Sequence, residues 1–317
     1  MPFFSIHFVM IIGSLGLAWG LRYVWKNTSI WLINRSTKQS TSWQKRWHQA
    51  VVCFVLPPML VLMTAIAVLC MGAEGQMIGL QVGRLSYAIA LLFLTYSIFR
   101  IAQLALTGWL SLQKLQKLVI DANNDQVTRL DPKIDPIIDP IKLLNIPMLF
   151  AAQIGFWRSD LFVSQGLLDT LDAPHLEAVL LHERAHAHYR DTFWFFWLGS
   201  LRQVMPWLPN TEVLWEEMLL LRELRADRWA AEQVDGLLLA ESLLAMVSNN
   251  ILITDNQTNN FDLTFAANFG YTSNSDRLEE RINFLLAEPE PLPQLSWRSL
   301  FWFGFALLPL TVLPLHS

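Results

Sequence analysis

Charge is what this chain has least of. Only 16% of its 317 residues are Asp, Glu, Lys or Arg, against roughly 25% in an ordinary soluble domain. With 53% of residues hydrophobic, a disordered chain is excluded, because disorder needs low hydrophobicity and high charge. A purely soluble enzyme is disfavoured for the same reason. Basic excess is also missing: the net charge is −4, so no nucleic-acid partner is expected. Two cysteines, Cys53 and Cys70, are too few for a disulfide framework or a Cys-rich metal site.

The lack of charge is local. Residues 1–21, 51–73 and 299–317 carry no charged side chain, and 85–112 carries only Arg100. A hydrocarbon core of about 30 Å needs roughly 20 apolar helical residues. The pattern predicts spans at about 3–21, 50–72, 86–112 and 297–316. Pro57-Pro58 falls inside the second span, where it is tolerated if neighbours satisfy the freed carbonyls. Arg100, expensive in lipid, is expected to face the bundle or a polar cavity. The loop 22–49 has six basic residues (Arg22, Lys26, Arg35, Lys38, Lys45 and Arg46) and no acid. By the positive-inside rule that loop is cytoplasmic. Everything between the third and fourth spans is then cytoplasmic as well.

The expected organisation is a membrane region over 1–113, a linker over 114–147, a domain over 148–294 and a final transmembrane helix over 295–317. The linker repeats Asp131-Pro132, Asp135-Pro136 and Asp139-Pro140, which forbids helix. Met148–Gln153 and Asp160–Ser164 read as strands, and the stretch around Leu161–Ser164 is expected to bind extended substrate by strand addition. A helix follows, with Asp172 as N-cap and Pro174 in its first turn, running to about Tyr189. A second starts near Thr211 and stops at Gly236, read as a C-terminal glycine. A third covers about Leu237–Val247, and a fourth about Asp276–Ala287. The polar stretch 249–275 reads as a loop. Residues 192–211, aromatic and apolar, read as a helix in the membrane interface, where Trp is favoured.

One string carries chemistry: His182-Glu183-Arg184-Ala185-His186, the H-E-x-x-H pattern. On a helix its two histidines lie one turn apart on one face and can share Zn²⁺, while Glu183 stands beside them as a general base. A catalytic zinc needs a third protein ligand. Glu223 and Asp227 lie four apart on the next long helix, so Glu223 is the expected ligand and Asp227 the acceptor that orients a ligand histidine. The bland alternative is a solvated face shared with Arg222, Arg225 and Arg228. Glu212, Glu216 and Glu217 are weaker candidates for the third ligand. His188 points elsewhere, and His175 is a helix-start histidine.

The run LLHERAHAHYRD, then RELRADRWAAE about 30 residues on, resembles the membrane zinc metallopeptidases of the BlaR/MecR antirepressor type, which are glutamate-liganded zincins. LFVSQGLLDTL and SDRLEERINFLLAEP look like further family elements, so the resemblance covers roughly 146–287. It implies His182, His186 and Glu223 as zinc ligands and Glu183 as catalytic base. Ala226 stands where many members carry cysteine, and the extracellular sensor domain of antibiotic-responsive members is expected to be absent. The fold class expected is a mainly α membrane protein: about four transmembrane helices plus a cytoplasmic α+β zincin-like domain with a small sheet. The function expected is zinc-dependent endopeptidase activity on protein or peptide substrates at a bacterial plasma membrane, with the lipid bilayer as partner and regulatory proteolysis in signal transduction as its setting. Two alternatives stand beside it. One is the HtpX/CaaX-protease type, in which further spans separate the two motifs. The other is a non-catalytic signalling scaffold with a vestigial zinc site.

Overall fold

The computed structural model describes residues 6–36, 43–72, 76–77, 80–81, 84–119, 141–256, 275–287 and 304–315. Three long helices come first: α1 (Ile6–Ser36), α2 (Trp43–Met71) and α3 (Arg84–Gln116). Each contains a window long and apolar enough to cross a membrane, and they are the three such helices among the described residues. A two-stranded hairpin, β1 (Gln76–Met77) and β2 (Leu80–Gln81), joins α2 to α3.

The chain divides into two units, one of Met1–Ala105, Leu198–Met218 and Glu290–Ser317, the other of Leu106–Trp197 and Leu219–Pro289. In the first unit the expected loop 22–49 shrinks, because α1 continues through Ser36 and α2 starts at Trp43. Arg22, expected to open that loop, instead lies within α1 and is 1% exposed. Its guanidinium donates to the carbonyls of Phe54 at 3.2 Å and Pro209 at 3.3 Å. Pro58 has no N–H for the Phe54 carbonyl one turn back, so the arginine supplies the missing donor and α2 runs unbroken through the proline pair. Arg100 also finds polar company, donating to Gln103 at 2.8 Å and to Gln203 at 2.5 Å. Of the expected fourth span, 297–303 and 316 lie outside the described residues. Its described part is a single α-turn and a 3-10 helix over Leu308–Leu315. Pro309 and Pro314 there cannot donate to an α-helical ladder.

The second unit holds a three-stranded sheet of β3 (Ile141–Leu144), β4 (Ala151–Ile154) and β5 (Asp160–Ser164), in the order β3-β5-β4. β5 pairs parallel with β3 and antiparallel with β4. The expected linker 114–147 therefore gives up both ends to regular structure, and the Asp-Pro pairs fall outside the described residues. The strand over Leu161–Ser164 is the central one, with both edges occupied, which removes it as a site for strand addition. Among the described residues β4 is an edge strand.

Alternation along β5 builds two cores. Leu161 and Val163 pack with Leu176, Val179 and Leu180 on one side. Phe162 packs with Leu144, Phe150 and Leu115 on the other. Ser164 ends the strand, accepting from the Phe150 and Leu167 N–H groups to cap α4 (Gln165–Thr170). Then come α5 (Ala173–His188), α6 (Asp191–Val204), α7 (Thr211–Ala231), α8 (Gly236–Asn256) and α9 (Ser275–Leu286). α8 is longer than expected and takes the first residues of the anticipated polar loop, whose remainder, 257–274, lies outside the described residues. Gly236 does not end α7, which stops at Ala231. It opens α8, where a Cβ would stand 3.1 Å from the Leu285 carbonyl oxygen. α6 has 14 residues; at 1.5 Å per residue it spans about 21 Å, short of a hydrocarbon core of about 30 Å.

Candidate metal centre

α5 carries both motif histidines, and its ends are built from local signals. Asp172 accepts the His175 N–H at 3.1 Å, with Pro174 in the first turn. At the far end Arg190 takes φ 54°, turning the chain so that Asp191 opens α6. His182, Glu183 and His186 are all buried. α7 brings Glu223 to them. His182 Nε2 lies 3.2 Å from His186 Nε2 and 3.3 Å from Glu223 Oε2, and the third separation is 3.8 Å. Four ligands at about 2.0–2.1 Å around a tetrahedral ion stand about 3.3 Å apart. Two imidazole nitrogens and one carboxylate oxygen facing a common point at these separations fit a divalent ion of zinc type. His182, His186 and Glu223 are the group that can hold a metal among the described residues.

Each histidine turns its other nitrogen to a carboxylate. His186 Nδ1 bonds Asp191 Oδ2 at 2.8 Å. His182 Nδ1 is 2.9 Å from Asp227 Oδ1 but off the line of a well-aligned hydrogen bond. Both acids are themselves held. Arg225 donates to Asp191. Arg281, from α9, takes both oxygens of Asp227 at 2.7 and 2.8 Å. Arg222 binds Glu223 Oε1 at 2.7 and 2.9 Å, leaving Oε2 toward the histidines. Glu183 lies outside the three-residue group; its Oε2 accepts the Gln153 N–H of β4 at 3.2 Å.

These surroundings set the charges. For Glu223 burial opposes ionisation, but Arg222 and His186 outweigh it and hold the carboxyl well below the usual range. Burial likewise works against the His186 imidazolium, yet the Glu223 charge and the Asp191 bond carry it up to about 9. His182 is raised too, burial being overcome by Asp227 and Glu223. Asp227 is depressed, burial yielding to Arg281. Glu183 moves the other way: burial, opposed by the two histidines, pushes its carboxyl up. A carboxylate raised in this manner is suited to accept and return a proton.

The alternative of a solvated charged face on α7 is not what forms, since Asp227 is fully buried and Arg222 and Glu223 are nearly so. Glu212 is engaged by Arg202 and Glu217 by Arg46, and neither belongs to the metal-binding group. His188 stacks on Trp229, and His175 bonds Asp172. The sequence reading missed Asp191, Arg281 and Gln153 as supports. Asp191 had a signal, since it is the last residue of the HERAHAHYRD run, and Arg281 sits within the SDRLEERI string. Gln153 had none.

Residues 145–254 match the model of peptidase family M48. The matched stretch contains both histidines, Glu183, Glu223 and Asp227, and supports a metallopeptidase function. No curated protein matches the chain significantly.

Proposed function

We propose that the chain is a membrane-inserted zinc endopeptidase acting on cytoplasmic or membrane-proximal proteins. The carrying observation is the convergence of His182 Nε2, His186 Nε2 and Glu223 Oε2 within 3.2–3.8 Å of one another beside the buried Glu183. The family match and the long apolar helices support it.

His182, His186 and Glu223 would hold the ion, and Zn²⁺ there supplies Lewis-acid polarisation of the scissile carbonyl and of the attacking water. Glu183 takes the proton of that water and later hands it to the leaving amine. Asp191 and Asp227 keep the two imidazoles in orientation, which is how such outer carboxylates act in metal sites generally. Substrate enters extended along the edge of β4 that pairs with no strand among the described residues; the Gln153 N–H of β4 anchors Glu183.

The resemblance to BlaR/MecR-type enzymes extends the proposal to regulatory proteolysis with the site facing the cytoplasm. α6 is too short to span, which favours this arrangement over one with extra spans between the motifs. The test is Glu183→Gln. It should keep one Zn²⁺ per chain and lose proteolysis by roughly 10²–10⁴-fold or more, the usual contribution of a general base. His186→Ala should lose the metal. An active Glu183→Gln overturns the mechanism; wild-type protein that binds zinc but cleaves nothing supports the scaffold instead.

A further inference from the structure

Six aromatic side chains from two separate elements form one patch. The turn after β4 presents Phe156 and Trp157; α6 presents Phe193, Trp194, Phe196 and Trp197. Phe156 sits at the centre, with ring centroids 5.4 Å from Phe193, 4.9 Å from Phe196 and 6.3 Å from Trp197. Trp157 lies 5.3 Å from Phe193. The outer members remain in the open: Trp157 is 69% exposed, Trp194 57% and Trp197 43%. Isolated exposed aromatics are ordinary, but a contiguous apolar patch marks an interaction surface. The turn is also firmly shaped. Gly155 has φ 150°, and a Cβ on it would stand 2.1 Å from the Arg158 carbonyl oxygen. Only glycine fits there, and it fixes the direction in which the two aromatics project.

We propose that this patch seats the peptidase domain in the headgroup region of the bilayer that holds α1–α3, so that the site receives substrate segments lying next to the membrane. Two observations select lipid as the occupant. The first is chemistry, since Trp with its apolar ring and single N–H is favoured at the membrane–water boundary. The second is charge. Arg158 is exposed at the tip of the turn, and Arg190 lies 5.8 Å from the Phe193 ring centroid, its side chain open to solvent. Cations at that level pair with anionic headgroups. The consequence for substrate follows from chain distance: Phe156 lies two residues beyond Ile154, the end of β4, and β4 anchors Glu183. An extended segment bound along β4 would run beside the bilayer surface.

The inference rests on the membrane-inserted reading above, and the test separates the two. Spin labels are placed singly at Trp157→Cys, Trp194→Cys, Ile98→Cys and Thr170→Cys in the full chain with Cys53→Ala and Cys70→Ala. The protein is reconstituted in vesicles of phosphatidylcholine and phosphatidylglycerol. Ile98 is exposed on α3, and Thr170 is exposed on α4. Accessibility to oxygen and to a water-soluble nickel chelate then reports depth. Labels at 157 and 194 should shift from the aqueous value of 170 toward the lipid value of 98, and retained zinc shows that the variants are folded. If 98 is in lipid while 157 and 194 match 170, the patch proposal fails and membrane insertion stands. If 98 is aqueous too, insertion itself fails. Dipolar broadening between labels at 157 on different copies would overturn lipid in favour of a self-interface.

Discussion

Arg22 donates to the carbonyl of Phe54 at 3.2 Å, the carbonyl that Pro58 leaves without its helical partner. A buried guanidinium and an orphaned carbonyl thus solve each other's problem within the first unit. A double-mutant cycle should show the coupling. Arg22→Ala alone exposes the cost of an unmet buried acceptor, roughly 1–3 kcal/mol. In a Pro58→Ala background the helical N–H is restored, and the same substitution should cost less. Equal losses in thermal unfolding of the two backgrounds would show that Arg22 acts elsewhere.

The two outer carboxylates should not be equivalent. Asp191 makes an aligned bond to His186, whereas Asp227 sits off the line from His182 and is shared with Arg281. Asp191→Asn should lower zinc affinity by roughly 10–100-fold, and Asp227→Asn by less. Competition with a chelator measures both, and a larger loss at Asp227 would reverse the assignment.

Arg281→Ala leaves Asp227, which is 0% exposed, as a buried charge without its bidentate partner. Losses for such a change are roughly 3–5 kcal/mol. The variant should melt well below wild type, with Arg281→Lys between them. An unchanged midpoint would mean that α9 does not anchor the site.

The Asp172–His175 pair provides a pH test away from the metal. The bond to Asp172 raises His175 above 6.5, despite some burial, and the same bond lowers Asp172 below 3.8. The imidazolium's share of stability is complete below pH 6.5 and is lost as pH rises through the raised value. The carboxylate's share is complete above pH 3.8 and is lost as pH falls through the depressed value. Asp172→Asn keeps a capping oxygen but removes the charge. Titration of His175 by NMR should move back toward 6.5 in that variant; an unmoved midpoint would remove Asp172 as the cause.

Topology has its own check. A reporter inserted between residues 257 and 274 should read as cytoplasmic, as the basic first connection requires. A signal from the opposite face would move the proposed substrates to the other side.

The three long apolar helices and the motif helix were legible because their signals are local. Hydropathy accumulates along neighbouring residues, and His182 and His186 share a face through helical period alone. Glu223 and Asp227 were legible for the same reason. What the sequence alone could not determine depended on partners distant in the chain. Nothing near Arg22 shows that it belongs to a carbonyl 32 residues away, so it read as the start of a loop. Strand pairing decided that Asp160–Ser164 lies in the centre and Ala151–Ile154 at the edge, because ladder partners are chosen by tertiary packing and not by propensity. Ile141–Leu144, too short to signal itself beside the prolines, became a strand only because β5 was there to pair with it. Arg281 became part of the site because Asp227, 54 residues away in the chain, was buried and needed a countercharge.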